Sequence, residues 1–295
     1  MNVFLTGASG YIGRAVARRL VAAGHRVTAL TRSPGAAAAA QEVGAIPFVG
    51  EMGEPVSWQA MAWSHDAAVH IAQEHSSDGP AKDALAIETF IKASMVGRSR
   101  ALIYTSGVWV LGNTPDAPAD ERASTVGAAQ VSAWRSYHET LVLRARSDQL
   151  RTVVLRPGIV YGGRGGLVDL FFETARDEGA AAFIGDGSNR WSLVHLEDLA
   201  ELYVLLLEGQ ASGVYHAVDS APMTVRNIAT ACSQAAGAHG SVRSVPLAEA
   251  RSSMGAMADA LVMDQAVTAP ASAALGWSPS RPTFDAAGAF LQWSH

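Results

Sequence analysis

Through the first two thirds of the chain, short apolar runs alternate with stretches whose apolar residues recur at helical spacing. The runs are Val3–Thr6, Arg26–Leu30, Ile46–Val49, Ala67–Ile71, Ala101–Thr105 and Thr152–Leu155. Each is short and rich in Val, Ile or Leu, the pattern of strands buried on both faces. Between the first two, Ile12, Val16, Leu20 and Ala23 line one face of a helix over Tyr11–Ala23, and Gly24 ends it. The alanine run Ala36–Ala40 reads as helical, and Ala128–Asp148 as a long helix that Gln149 and Leu150 connect to the next strand. Strands alternating with helices predict βαβ units and a parallel sheet. The last third differs. An aromatic strand, Trp191–Val194, precedes a helix over Leu196–Leu207, then an extended run Gly213–Val218, a helix over Val225–Ala236 and a tail punctuated by Pro, Gly and Ser. This pattern predicts a smaller mixed subdomain at the carboxyl edge of the sheet.

The chemistry concentrates first in Gly7-Ala8-Ser9-Gly10-Tyr11-Ile12-Gly13, directly after the first strand and directly before the first helix. A pyrophosphate needs backbone N–H groups close by and a helix N-terminus aimed at it, and side chains would block that approach. Three glycines in this position predict a dinucleotide site. An NAD site places an acid at the end of the second strand to hold the ribose hydroxyls. Here that place reads Thr31-Arg32-Ser33-Pro34. Arg32 and Ser33 therefore point to a 2′-phosphate and to NADP, with NAD the second choice and Arg14 a further candidate contact.

Composition narrows the partners. The chain has 295 residues, 49% of them hydrophobic, and a formal charge of -5. That suits one large domain, or a nucleotide-binding domain with a smaller companion. The 22 Lys and Arg residues are scattered, so neither nucleic acid nor a membrane surface is expected as a partner. A lone cysteine, Cys232, excludes an internal disulfide and a multi-cysteine metal site, and its helical surroundings make it a core residue. The nine histidines lack ligand spacing, so no metal is expected. No apolar run reaches the roughly 18 residues of a membrane helix, and no leader pattern precedes the first strand; the expectation is a cytoplasmic protein.

With these residues in view, the chain resembles the extended short-chain dehydrogenases/reductases, the group containing the NAD-dependent epimerases and dehydratases. Thr6-Gly7-Ala8-Ser9-Gly10-Tyr11-Ile12-Gly13 matches their TGxxGxxG loop. Val69-His70-Ile71-Ala72 resembles the strand end that faces the cofactor, and Tyr104-Thr105-Ser106-Gly107 the strand carrying a catalytic hydroxyl. Residues 155–162, with Pro157, Gly158 and Tyr161, resemble the RPxxxYG turn beside the nicotinamide, and Gly50-Glu51-Met52 the turn that touches adenine. Gly185-Asp186-Gly187 and residues 194–200 resemble a segment of the substrate subdomain. The resemblance covers at least residues 2 to 218. It implies an α/β fold, a Rossmann-type doubly wound parallel sheet with a smaller C-terminal mixed substrate subdomain. Residues 1–160 would bind the dinucleotide, with returns up to about 218, and residues 161–295 mainly the substrate. The cofactor contacts implied are Gly7, Ser9, Gly10, Tyr11, Ile12, Gly13, Glu51, Met52, Ile71, Ala72, Thr105, Pro157 and Gly158. A small-molecule substrate and a homodimer are implied with them.

The chain departs from the family at its catalytic pair, Tyr-x-x-x-Lys on a long helix. Aligning Glu139-Thr140-Leu141-Val142-Leu143 to the segment that follows the lysine puts Arg135 at the lysine and Val131 at the tyrosine. The lysine nearest this region, Lys92, lies on an earlier helix. Tyr137 falls about 600° around the helix from Val131 and should point elsewhere, into packing. His138, seven residues on, returns to the same face about 10 Å along the axis. Trp134, Arg135 and His138 thus form a face toward the cofactor. Imidazole is a competent acid/base, and Arg135 can hold a ribose, an anion or an oxyanion; the alternative for Arg135 is an i, i+4 ion pair with Glu139. Ser106, with Thr105 second, is the candidate hydroxyl, and Tyr161 a substitute proton donor or a pocket wall. Trp109, Trp134 and Trp191 would line the substrate pocket. Arg190 would contact a substrate phosphate or form a salt bridge. Asp198 would serve the dipole of a helix N-terminus.

Two function classes follow. One is an NADP-dependent oxidoreductase reducing a small carbonyl, imine or enone with non-standard acid/base residues, with an epimerase or dehydratase acting on sugar nucleotides as its variant. The other is an NADP-binding sensor without redox turnover.

Overall fold

The computed structural model describes residues 1–219 and 221–294. In chain order its first elements are β1 Asn2–Thr6, α1 Tyr11–Ala22, β2 Arg26–Thr31, α2 Pro34–Glu42, β3 Ile46–Val49, α3 Gln59–Trp63, β4 Ala67–His70, α4 Gly79–Val96, β5 Ala101–Thr105, α5 Ala133–Arg144 and β6 Arg151–Pro157. There follow β7 Ile159–Tyr161, α6 Asp169–Glu178, β8 Ala181–Ile184, β9 Arg190–Trp191, β10 Leu193–His195, α7 Leu196–Glu208, β11 Gly213–Ala217, β12 Met223–Thr224, α8 Val225–Ala235 and β13 Val242–Val245. Four short helices complete the chain.

Two compact units divide these elements. The first comprises Met1–Ser106, Trp134–Arg156 and Leu199–Tyr215. It carries a seven-stranded sheet in the order β11-β6-β5-β4-β1-β2-β3, with every pairing from β3 to β6 parallel. This is the Rossmann-type doubly wound order, whose direction reverses between β1 and β4. Ligands of such sheets bind beyond the carboxyl ends of the strands at that reversal. The central strands β1, β4 and β5 are buried on both faces, as their composition predicts. β3 is not, because it is the sheet edge: Ile46 and Val49 face solvent. Phe4, Trp58 and Phe90 anchor this unit's core, with Trp58 5.7 Å from Phe4 and 5.4 Å from Phe90.

The second unit comprises Gly107–Ala133, Pro157–Asp198 and His216–His295. Three two-stranded pairs, β10–β7, β12–β9 and β13–β8, frame its core of Phe171, Phe172, Trp191, Cys232 and Trp293.

Two expected elements take other forms. The helix read over Ala128–Asp148 begins only at Ala133, after a 3-10 turn at Gln130–Ser132. Ala129 sends its N–H to the Trp109 carbonyl instead of into a helix. The strand read over Trp191–Val194 is two strands with different partners, separated by Ser192, whose Oγ accepts from Val267 N at 2.9 Å.

Candidate functional site

Gly7 leaves β1 at φ +84°, a conformation that favours glycine, and a Cβ there would stand 2.7 Å from the Ala72 backbone nitrogen. A Cβ on Gly13 would collide with the Gly7 carbonyl. The loop is tied by Gly10 N–H donating to Gly7 O at 3.0 Å. Helix α1 begins at Tyr11 with no side-chain cap and no acid in its first turn. The positive dipole end of α1 thus meets no side-chain anion of its own helix and favours an external one. This cradle fits the pyrophosphate of a dinucleotide. Ser9 and Gly10 are exposed on it, Tyr11 and Ile12 half-buried.

Across the sheet reversal, Thr6 Oγ1 accepts from the Ile71 and Ala72 N–H groups, at 3.3 Å each, and pairs with His70 Nδ1 at 2.6 Å. With two donors already on that oxygen, its own hydrogen goes to Nδ1, so His70 carries its hydrogen on Nε2. That nitrogen stands 3.2 Å from Asp83 Oδ1.

Asp83 is the centre of a buried polar network. Its Oδ2 lies 2.6 Å from His138 Nδ1 and accepts from the Tyr104 hydroxyl at 3.1 Å. Arg135, one turn before His138, donates from Nη1 to Tyr104 Oη at 3.3 Å and to Thr105 O at 2.6 Å, and from Nη2 to Gln73 Oε1 at 2.8 Å. Trp134 covers the guanidinium, its ring centre 4.5 Å away, and meets His138 edge-on at 5.0 Å. Burial alone would raise the Asp83 carboxyl; His70, His138 and Arg135 outweigh it and hold the group well below the usual carboxylate range. Burial pushes the Tyr104 phenol well up, so it stays a neutral donor. The face of Trp134, Arg135 and His138 therefore exists, and it converges on a carboxylate that sequence reading missed. The signal was available: α4 places Asp83, Ile87 and Phe90 on one buried face, and an acid there must have a partner.

Arg135 does not use Glu139 as its anion. Glu139 binds Arg156 through two contacts, at 2.9 and 2.5 Å, with both side chains buried. Two of the five guanidinium N–H donors of Arg135 have no partner among the described residues. Ser106 is buried, its Oγ without a hydrogen-bond partner among the described residues. Thr105 Oγ1 is spent on the Tyr203 hydroxyl at 2.6 Å, which leaves Ser106 the available hydroxyl. Tyr137 points away as expected, but into solvent and not into packing, at 64% exposure. Tyr137→Phe should accordingly leave the thermal midpoint and any turnover nearly unchanged, within about 0.5 kcal/mol. Both lysines of the chain, Lys82 and Lys92, lie on α4.

Elsewhere in this unit, Arg32 is exposed beside Glu74, and Ser33 caps α2 by accepting from Ala36 N at 3.2 Å. Glu51 is exposed, with its carbonyl accepting from Trp58 Nε1, whereas Met52 is a core residue.

In the second unit, Gly158 lies tight against the Ser192 carbonyl, next to buried Pro157. Tyr161 is fully buried among core side chains, and burial pushes its phenol well up, which makes it a poor proton donor. Trp191 is likewise a core residue, its Nε1 donating to Leu261 O. Trp109 is half-buried against the same core. Arg190 takes the salt bridge, gripping Asp264 through Nε at 2.8 Å and Nη2 at 2.7 Å. Asp198 does more than serve a helix dipole: its carboxylate accepts from Ser280 N, Ser280 Oγ and Arg281 N.

Among the described residues, no cluster of three or more His, Cys, Asp or Glu could hold a metal ion, and no helix is long and apolar enough to cross a membrane.

Relatives bear on this geometry. A protein of Schizosaccharomyces pombe, uncharacterized there, is 33% identical over 236 residues, covering 78% of each chain. The 4-hydroxy-2-methyl-3-oxo-4-farnesyl-3,4-dihydroquinoline-1-oxide ketoreductase of Stigmatella aurantiaca is 29% identical over 261 residues, 85% of this chain and 78% of that one. The human epimerase family protein SDR39U1, solved with NADPH, superposes with a TM-score of 0.79 at 25% identity, covering 99% of this chain and 98% of that one. The model of the NAD dependent epimerase/dehydratase family matches residues 3–218, and the chain belongs to that family of NAD(P)-binding, extended short-chain dehydrogenase/reductase proteins.

Proposed function

We propose that the protein is an NADP(H)-dependent reductase of a small carbonyl, imine or enone, with His138 and not a tyrosine as its acid/base. The observation that carries this reading is the buried pairing of His138 Nδ1 with Asp83, beside Arg135. A carboxylate at Nδ1 fixes the ring's tautomer and orientation, leaving Nε2 to hold or release a proton. Asp83 is then a positioning residue. Ser106 Oγ offers a hydrogen bond to a substrate oxygen, and the two remaining N–H groups of Arg135 offer donors to a ribose or a developing oxyanion. The glycine cradle and the uncapped α1 hold the pyrophosphate. The dinucleotide, when bound, supplies the hydride. The ketoreductase relative and the NADPH-bound human structure support a reductase using NADPH. A homodimer through α4 and α5 belongs to the same reading, supported by the exposed Leu85, Met95 and Val96 of α4.

The test is NADPH oxidation against a panel of aldehydes, ketones, imines and enones, with NADPH affinity measured separately. His138→Ala should lower kcat by about 100-fold or more while NADPH affinity stays within a factor of a few. An enzyme that turns over equally well without His138 refutes the assignment. Tight NADPH binding with no turnover on any class would instead favour the sensor.

A further inference from the structure

Arg32, the residue that points to NADP, is not alone at the end of β2. Its Nη1 stands 3.5 Å from Glu74 Oε1, although Arg32 is itself 67% exposed and loosely held. Glu74 comes from the loop after β4 and is only 19% exposed. Its other oxygen, Oε2, accepts from Lys82 Nζ at 2.8 Å. Lys82 also meets Asp78 one turn earlier, at 3.2 Å. The stem of Lys82 runs over Gly53, where a Cβ would lie 3.0 Å from Cγ. The Glu74 backbone is packed as closely, since a Cβ on Gly79 would collide with its carbonyl oxygen. Glu74 and Lys82 are thus fixed, and Arg32 is the member free to swing.

The chemistry of this trio is opposed. A guanidinium binds a 2′-phosphate bidentately; a carboxylate repels it and accepts instead from ribose hydroxyls. The end of β2 has no acid of its own, and the loop after β4 brings one to the same guanidinium. Resting on the NADP reading of Arg32, we infer that Glu74, held by Lys82, sets how strongly the chain discriminates NADPH from NADH. It neutralises Arg32 in the free protein and opposes the phosphate that Arg32 binds. Lys82, paired with the other Glu74 oxygen, partly offsets that charge and so limits the opposition.

The experiment measures binding without turnover. NADPH, NADH, 2′,5′-ADP and 5′-ADP are titrated calorimetrically into the wild type, Glu74→Gln, Lys82→Met and Arg32→Ala, each checked for an unchanged melt. Glu74→Gln should raise the NADPH-to-NADH affinity ratio about tenfold, and the 2′,5′-ADP-to-5′-ADP ratio with it. Lys82→Met should lower both ratios, because Glu74 is then left wholly to Arg32. Arg32→Ala should flatten them. An unchanged or lower ratio in Glu74→Gln, with Arg32→Ala still weakening NADPH, overturns the role of Glu74 and leaves the NADP reading standing. A wild type that prefers NADH, with Arg32→Ala leaving NADPH binding unaltered, overturns the NADP reading and the role of Glu74 together.

Discussion

Gly13→Ala is expected to weaken dinucleotide binding about 100-fold or more, the scale on which small displacements act in preorganised sites. The new methyl group would enter the space of the Gly7 carbonyl, with the Gly7 carbonyl carbon 2.6 Å and Ala8 N 3.1 Å away. Neither partner can give. Gly7 sits at a positive φ with its α-carbon against Ala72, and its carbonyl holds the hydrogen bond from Gly10. The loop must open, and the N–H groups meant for the pyrophosphate turn away. Gly35→Ala is the control. It lies in the first turn of α2 with nothing within 4 Å of a Cβ, so it should keep full affinity and gain roughly 0.4–1 kcal/mol of stability. Fluorescence titration of NADPH with a thermal melt of each variant checks both. Equal affinities in the two variants would mean that the loop does not hold the pyrophosphate.

Asp83→Asn is expected to cost about 3–5 kcal/mol, because it strips the one carboxylate from a site that buries Arg135, two histidines and a phenol. In a chain of this size that is a fall of roughly 5–8 °C in the thermal midpoint. The pH dependence is a second signature. In the folded protein the Asp83 carboxyl titrates below its ordinary value, so the unfolded chain takes up the proton first as pH drops. The stabilisation is therefore complete above about pH 4 and drains away as pH falls toward the folded value. Melts taken from pH 5 downward should show a steeper acid limb in the wild type than in Asp83→Asn. Parallel limbs would mean that Asp83 is not ionised at the centre of the network.

What was legible beforehand follows from the range of the interaction concerned. Strands β1, β4 and β5 announce themselves because double burial demands unbroken apolar runs, and the cradle because only glycine tolerates its contacts. The edge position of β3 was hidden, since a strand's own residues do not say how many neighbours it has. The late start of α5 was hidden for a related reason: Ala128 and Ala129 are good helix formers, and a hydrogen bond to Trp109, 20 residues away, overrides them. The same distance limit governed the candidate site. His138 and Arg135 could be placed on one helix face by counting, but their anchor Asp83 lies 55 residues from His138. Arg190 could be flagged as a phosphate contact or a salt bridge; Asp264, which decides between them, is 74 residues on. Glu74 was passed over because no local pattern ties it to Arg32.

The three-part make-up of the first unit also shapes how the protein is born. Strand β6 is synthesised some 55 residues before β11, the neighbour that covers its outer edge. Until the ribosome has delivered residue 217, the nascent sheet presents a row of unpaired amide and carbonyl groups, a template for pairing with other chains. A polypeptide terminated near residue 160 would carry the whole glycine cradle and still be a poor binding protein, prone to associate through that open strand. Expression as two halves would be governed by this late closure more than by the chemistry of the loop.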